Sequence, residues 1–195
     1  MPTTSKLTNF SFGFFSICAV LLFFGCQQEN EKVMPENHKP INRLVTYNRW
    51  ANEQFVNWLM EYDEALLSAY VESSFPSIRA TVIHNWGAET GWTSYLQNKE
   101  WQRPYEGDSF PGNTKDALLQ WLEASKRLED FIHHADLTVI NEQLQQNDME
   151  YSAEDVVMHV VNHATQHRGQ IITMARTLGL QNIPRTDLIF FAKEN

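Results

Sequence analysis

Cysteine is nearly absent: the 195 residues contain two, Cys18 and Cys26, both within or just after an apolar N-terminal run. A domain formed by the rest of the chain has no disulfide, no thiolate metal ligand and no cysteine nucleophile. Positive charge is also short, with 15 Lys and Arg against 24 Asp and Glu. Without a clustered basic face, nucleic acid is not an expected partner. There is no internal repeat, no phosphate-cradling glycine loop and no Ser-His-Asp arrangement in a recognisable context. What is present, 43% hydrophobic and 12% aromatic residues, suffices for one compact domain with a full core.

The apolar run at the start, Phe10 to Phe24, follows Lys6 and is uncharged and Phe-rich. It has the length of a signal-peptide core and falls short of the roughly 20 apolar residues of a spanning helix. It ends in Leu22-Phe23-Phe24-Gly25-Cys26, followed by the polar QQENEK. This resembles a bacterial lipoprotein signal, whose cysteine is lipidated and becomes the first mature residue, although Phe23 stands where such signals usually carry Leu. Residues 1–25 therefore read as a signal peptide and the cell envelope as the location, with an uncleaved membrane anchor as the alternative. Cleavage before Cys26 removes 25 of the 195 residues, leaving 170; Lys6 is the one charged side chain lost, so the formal charge moves from −9 to −10. Residues 26–41 are polar and carry Pro35 and Pro40; they read as a flexible tether, with His38 a solvated loop residue.

From residue 42 the apolar periodicity is helical. The first helix is expected from about Asn42 to Tyr70, with Leu44, Tyr47, Trp50, Ala51, Phe55, Trp58 and Leu59 inward and Asn48, Arg49, Asn52, Glu53 and Asn57 on the other side. The second is expected from about Ser77 to Gln97, with Pro76 in its first turn and Gly87 and Gly91 admitting a close neighbour. A loop from about Asn98 to Asn113 is long enough to cover or shape a pocket, and its Glu100, Glu106 and Asp108 read as solvated charges. The third helix runs from Thr114 to about His134. His133 and His134 close it as a C-terminal feature, because neighbours on a helix point about 100° apart and chelate poorly. A short extended pair is expected around Asn147-Asp148. The apolar tail Leu188 to Phe191 should pack back on the bundle or against a second subunit.

The chemistry-bearing stretch is Met158 to Gln170, MHVVNHATQHRGQ, with His159, His163 and His167 four residues apart. On a helix a step of four advances about 400°, so successive imidazoles lie about 40° apart and share a face. Ser152 and Asp155 supply a capping-box start and Gly179 a stop, for a helix of about 26 residues. The histidines run close to its apolar stripe and are expected to point inward. Any adjacent pair can grip one metal ion, but a catalytic metal normally takes three protein ligands. His84, in the middle of the second helix, is as a lone histidine most often structural. Facing the last helix, it would complete an open three-histidine site of a kind common in bundles.

Several stretches together resemble the DinB/YfiT-like family of metal-binding four-helix bundles: YNRWANEQFVNWL at Tyr47 to Leu59, FPSIRATVIHNWGAETGW at Phe75 to Trp92, HVVNHATQHRGQI at His159 to Ile171, and LGLQNIPRTDLIFF at Leu178 to Phe191. They follow the family's order over most of the chain from about residue 42, the His-Arg-Gly-Gln segment being the most specific. The lipoprotein-like leader is not typical of the family. The resemblance implies an all-α, up-down-down-up four-helix bundle over residues 42–195. It also implies a divalent metal held by His84, His163 and His167, with His159 a non-ligating histidine that lines the pocket or supports a ligand.

Three imidazoles and an open position suit zinc or nickel, with iron or manganese as alternatives. Such a site can activate water for hydrolysis or hold a thiolate for delivery to an electrophile. The resemblance favours the second, since characterised relatives include thiol-dependent S-transferases and isomerases. The expected partners are a small thiol, an electrophilic small molecule, the membrane through lipidated Cys26 or the uncleaved leader, and a second copy in a homodimer. Glu89, about 140° round the helix from His84, is not expected to share the site. The competing expectation is a non-catalytic metal-binding or stress-associated envelope lipoprotein, with the site closed by a fourth ligand, a carboxylate or His159.

Overall fold

The computed structural model describes residues 39–105, 109–146 and 148–194. The leader, most of the tether with His38, and the loop acids Glu106 and Asp108 lie outside the described residues.

Helix α1 (Lys39–Leu59) departs from expectation at both ends. Pro40 sits in its first turn, where a missing N–H is harmless, and Ile41 is already buried, so residues 39–41 are helix and not tether. The helix stops at Leu59 instead of near Tyr70, because Asp63 caps a separate short helix, α2 (Glu64–Leu67), by accepting from the Leu66 N–H. The redirected chain lays Leu67 and Val71 against the core. Trp58 Nε1 and the Tyr62 hydroxyl both donate to the Gln181 carbonyl, at 2.7 and 3.0 Å, and so tie this break to the C-terminal segment.

Helix α3 (Ile78–Asn98) is capped by Ser77, whose side chain accepts from the Ala80 N–H. Pro76 thus precedes the helix and does not open it; its carbonyl accepts instead from the Val71 N–H at 2.9 Å. Helix α4 (Thr114–His134) starts in a capping box of Asn113 and Asp116. Past α5 (Leu137–Ile140), strands β1 (Gln143–Gln146) and β2 (Met149–Ser152) pair antiparallel, forming the extended pair anticipated there. Helix α6 (Ala153–Thr177) begins in the Ser152–Asp155 capping box and is followed by Gly179 at φ +79°. Helix α7 (Leu188–Glu194) closes the described chain.

Two apolar layers set the helix directions. One joins the end of α1 (Phe55, Leu59), the starts of α3 and α4 (Ile78, Val82, Leu118, Trp121) and the end of α6 (Ile171, Met174). The other joins the start of α1 (Ile41, Val45), the ends of α3 and α4 (Tyr95, Leu96, Leu128, Ile132) and the start of α6 (Val156, Val160). α1 and α6 therefore run one way and α3 and α4 the other, an up-down-down-up bundle. Each of α1 and α3 packs on both α4 and α6.

Between the layers lies a polar one. Asn48 and Asn52, expected on the solvent side of α1, are fully buried beside Glu89, Ser125 and Arg168. Their amides satisfy the two buried charges, a role that apolar spacing cannot reveal. The tail packs on the bundle as expected: the Phe191 ring lies 5.8 Å from Tyr47 and 5.6 Å from Trp50, while Leu188 and Ile189 face outward. Among the described residues no helix is long and apolar enough to cross a membrane.

Candidate metal centre

The opposed directions of α3 and α6 bring an early residue of α3 beside the middle of α6. His84, His163 and His167 accordingly converge, one ligand atom from each lying within 4.8 Å of the others. His163 Nε2 stands 3.0 Å from His84 Nε2 and 3.1 Å from His167 Nε2. His167 is buried and the other two are partly buried. Phe75, in the segment before α3, walls the cluster with its ring 4.2 Å from His84 and 5.5 Å from His167.

The outer ring nitrogens decide where the protons sit. Gln170 Oε1 lies 2.8 Å from His167 Nδ1, and Gln170 Nε2 donates to Ser74 Oγ at 2.9 Å. The carbonyl can only accept, so His167 carries its proton on Nδ1 and points a lone pair inward from Nε2. Arg103 Nη2 lies 3.0 Å from His84 Nδ1. A guanidinium only donates, so His84 Nδ1 accepts and the ring's proton sits on Nε2. His163 Nε2 then faces a lone pair on one side and an N–H on the other. Whichever state it adopts, one of its two short contacts is mismatched. A cation accepting all three Nε2 lone pairs removes that conflict, so the donor set fits a metal ion of the kind that imidazole binds.

Protonation does not compete at neutral pH. Burial, then the positive charges of His167 and Arg103, pushes His84 down to about 4. Burial and the neighbouring His167, His84, His159 and Arg103 push His163 down to about 3. Burial also lowers His167, against the opposing hydrogen bond to Gln170. All three rings are thus neutral and able to ligate.

The remaining histidines fall elsewhere. His159 is exposed and does not point inward as expected; its ring is 5.6 Å from His163 and 5.3 Å from Trp92. Two 40° steps from His167 carry it off the buried face, where it helps line a pocket of about 260 Å³ with Trp92, Tyr151 and Val156. His133 and His134 are exposed at the end of α4, bonded to Thr46 Oγ1 and to the Asp130 carbonyl. Glu89 is part of the buried polar layer: Asn48, Asn52 and Ser125 donate to its carboxylate at 2.9, 2.8 and 2.6 Å.

Three contributors escaped the sequence reading. Gln170, three residues after His167, had a usable signal in the i, i+3 spacing. Phe75 had none. Arg103 is delivered by residues 99–105, which cross the face of α3 that carries His84, Gly87 and Gly91. A Cβ on Gly91 would lie 2.5 Å from the Trp101 ring and one on Gly87 would lie 2.7 Å from Arg103 Nε. The close neighbour that these glycines admit is this strap, not another helix.

The sequence model of the DinB family matches residues 34–194. The protein named Protein DinB from Bacillus subtilis (strain 168) is 29% identical over 153 residues, which span 73% of this chain and 88% of that relative.

Proposed function

Because the chain belongs to the DinB family and its three imidazoles converge, we propose that it is a divalent-metal-dependent transferase that joins a small thiol to an electrophilic small molecule. The observation that carries this reading is the openness of the ligand set. Among the described residues no further His, Cys, Asp or Glu joins His84, His163 and His167. A structural site is normally closed by a fourth protein ligand, whereas a catalytic one keeps a position for substrate.

His84, His163 and His167 would hold the ion, and zinc or nickel suits them first. Once bound, such an ion supplies a Lewis acid that keeps a thiol sulfur as thiolate at neutral pH. The chain's own residues do the rest. Gln170 holds the His167 ring in its ligating tautomer, Phe75 shields one side from water, and the pocket beside His159 offers an apolar surface to the electrophile. In the reaction the sulfur–carbon bond forms as the carbon–leaving-group bond breaks; the leaving group departs with its electron pair and the thiol proton passes to water. The lipoprotein-like leader supports a location at the cell envelope, through lipidated Cys26 or the uncleaved leader itself, and the outward Leu188 and Ile189 of α7 suit a homodimer. Membrane fractionation of the full chain beside Cys26→Ser checks the tether, and light scattering checks the dimer.

The deciding experiment is metal content of the full chain, purified without chelator or metal-affinity tag, followed by thiol conjugation to a chloronitrobenzene acceptor with each of zinc, nickel, iron and manganese. About one equivalent per chain and conjugation that both vanish in His84→Ala support the reading. Metal binding without thiol conjugation to any acceptor in a broad panel overturns the transferase and leaves a metal-binding protein.

A further inference from the structure

We infer that Arg103 is the anion receptor of this site, taking the carboxylate of a small substrate beside the metal position. The inference rests on the proposed metal-dependent function and adds a substrate class to it. Its first support is that Arg103 has little compensation among the described residues. Its Nε is buried with no hydrogen-bond partner, and among the described residues no carboxylate pairs with its guanidinium. Its contact at the site is one ring nitrogen, His84 Nδ1, at 3.0 Å. A half-buried guanidinium held this way keeps donors in reserve.

The second support is that this contact and metal ligation exclude each other. His84 Nδ1 accepts from Arg103 only while the ring's single proton sits on Nε2. Ligation through Nε2 uses that lone pair and moves the proton to Nδ1, where it meets the guanidinium donors head on. Arg103 must then leave His84. The strap limits how far it goes, since Trp101 is seated against Gly91 and the Arg103 side chain against Gly87. The released guanidinium stays at the rim of the site with its planar fork unpaired. A carboxylate matches that fork with two parallel hydrogen bonds, which a lysine cannot offer.

The test uses the full chain loaded with cobalt, whose d–d and thiolate charge-transfer bands report binding without turnover. Mercaptoacetate, 2-mercaptoethanol and acetate are titrated into the wild type, Arg103→Gln and Arg103→Lys. In the wild type, mercaptoacetate should bind about tenfold more tightly than 2-mercaptoethanol. Both variants should lose that preference and keep the 2-mercaptoethanol affinity. Zinc affinity should not fall in either variant, whereas a residue that merely propped His84 would weaken metal binding when removed. If neither thiol produces a charge-transfer band, the thiol reading fails while the acetate titration still decides Arg103. Acetate that binds beside 2-mercaptoethanol in an Arg103-dependent manner, without a mercaptoacetate preference, assigns the carboxylate to the electrophile. Binding of both mercaptoacetate and acetate that is indifferent to Arg103, or a loss of zinc affinity in the variants, overturns the inference.

Discussion

Glu89 and Arg168, opposite charges buried in the same layer, meet through two asparagines. Asn48 and Asn52 each donate to Glu89 Oε1, at 2.9 and 2.8 Å, and each accepts from Arg168 Nη1, at 3.1 and 2.5 Å. With Ser125 donating to Glu89 Oε2 at 2.6 Å, the layer ties all four long helices together. Because Arg168 follows His167 directly, the same cluster sets the rotation of α6 that points His163 and His167 at α3.

Truncating this layer should be expensive and conserving it mild. Glu89→Ala takes the buried acceptor away from the Asn48 and Asn52 amides and the Ser125 hydroxyl, and should lower unfolding stability by about 3 kcal/mol or more. Glu89→Gln keeps an acceptor and should do far less harm. Urea unfolding separates the two, and equal losses would contradict the network.

The two variants should also differ in pH response. Burial raises Glu89 above its ordinary 4.5, against the hydrogen bonds from Ser125, Asn48 and Asn52. The folded chain therefore keeps this proton to higher pH than the unfolded chain. Its stabilising contribution is complete below 4.5 and is lost as pH rises through the raised folded value. Glu89→Gln should lack that decline, which unfolding curves across the acidic to neutral range will show or refute.

The histidines act with the opposite slope. His84 at about 4 and His163 at about 3 refuse protons that the unfolded chain accepts below 6.5. Metal-free protein should therefore lose stability as pH falls from 6.5 towards these values. The double variant His84→Asn, His163→Asn should give a flatter thermal-melting profile over that window, and an unchanged slope would count against their neutrality.

Metal should stabilise the fold through three histidines and not the fourth. At 100 times its dissociation constant, zinc should add about 2.7 kcal/mol of stability, reversed by chelator. The shift should vanish in His84→Ala and His163→Ala and persist in His159→Ala. Loss in His159→Ala would restore the closed, structural site.

Gln170 should matter through His167 alone. Gln170→Ala frees the ring and should weaken zinc binding about 10- to 100-fold, measured by chelator competition, with helix content unchanged. Gln170→Glu keeps the acceptor and should retain most of the affinity. Equal binding by all three proteins would mean that the ring needs no such support.

Short-range patterns were readable from the residues alone. The Ser152–Asp155 cap, the stop at Gly179, the hairpin near Asp148 and the four-residue histidine spacing each depend on groups a turn or two apart, whose geometry the helix itself imposes. Family-specific motifs extended this to the bundle and to His84. The remainder depended on which elements meet. Asn48 and Asn52 look like solvent-facing polar residues until Glu89 and Arg168 are placed opposite them. The break after Leu59 interrupts an apolar pattern that could have continued, because Asp63 and a distant carbonyl at Gln181 offer better partners. Phe75 and Arg103 reach the site from connecting segments with no periodicity to read. The spacing along α6 dictated which side chains could bind a metal, whereas the packing of α3, the strap and α1 around it selected which of them converge with His84 and what stands beside them.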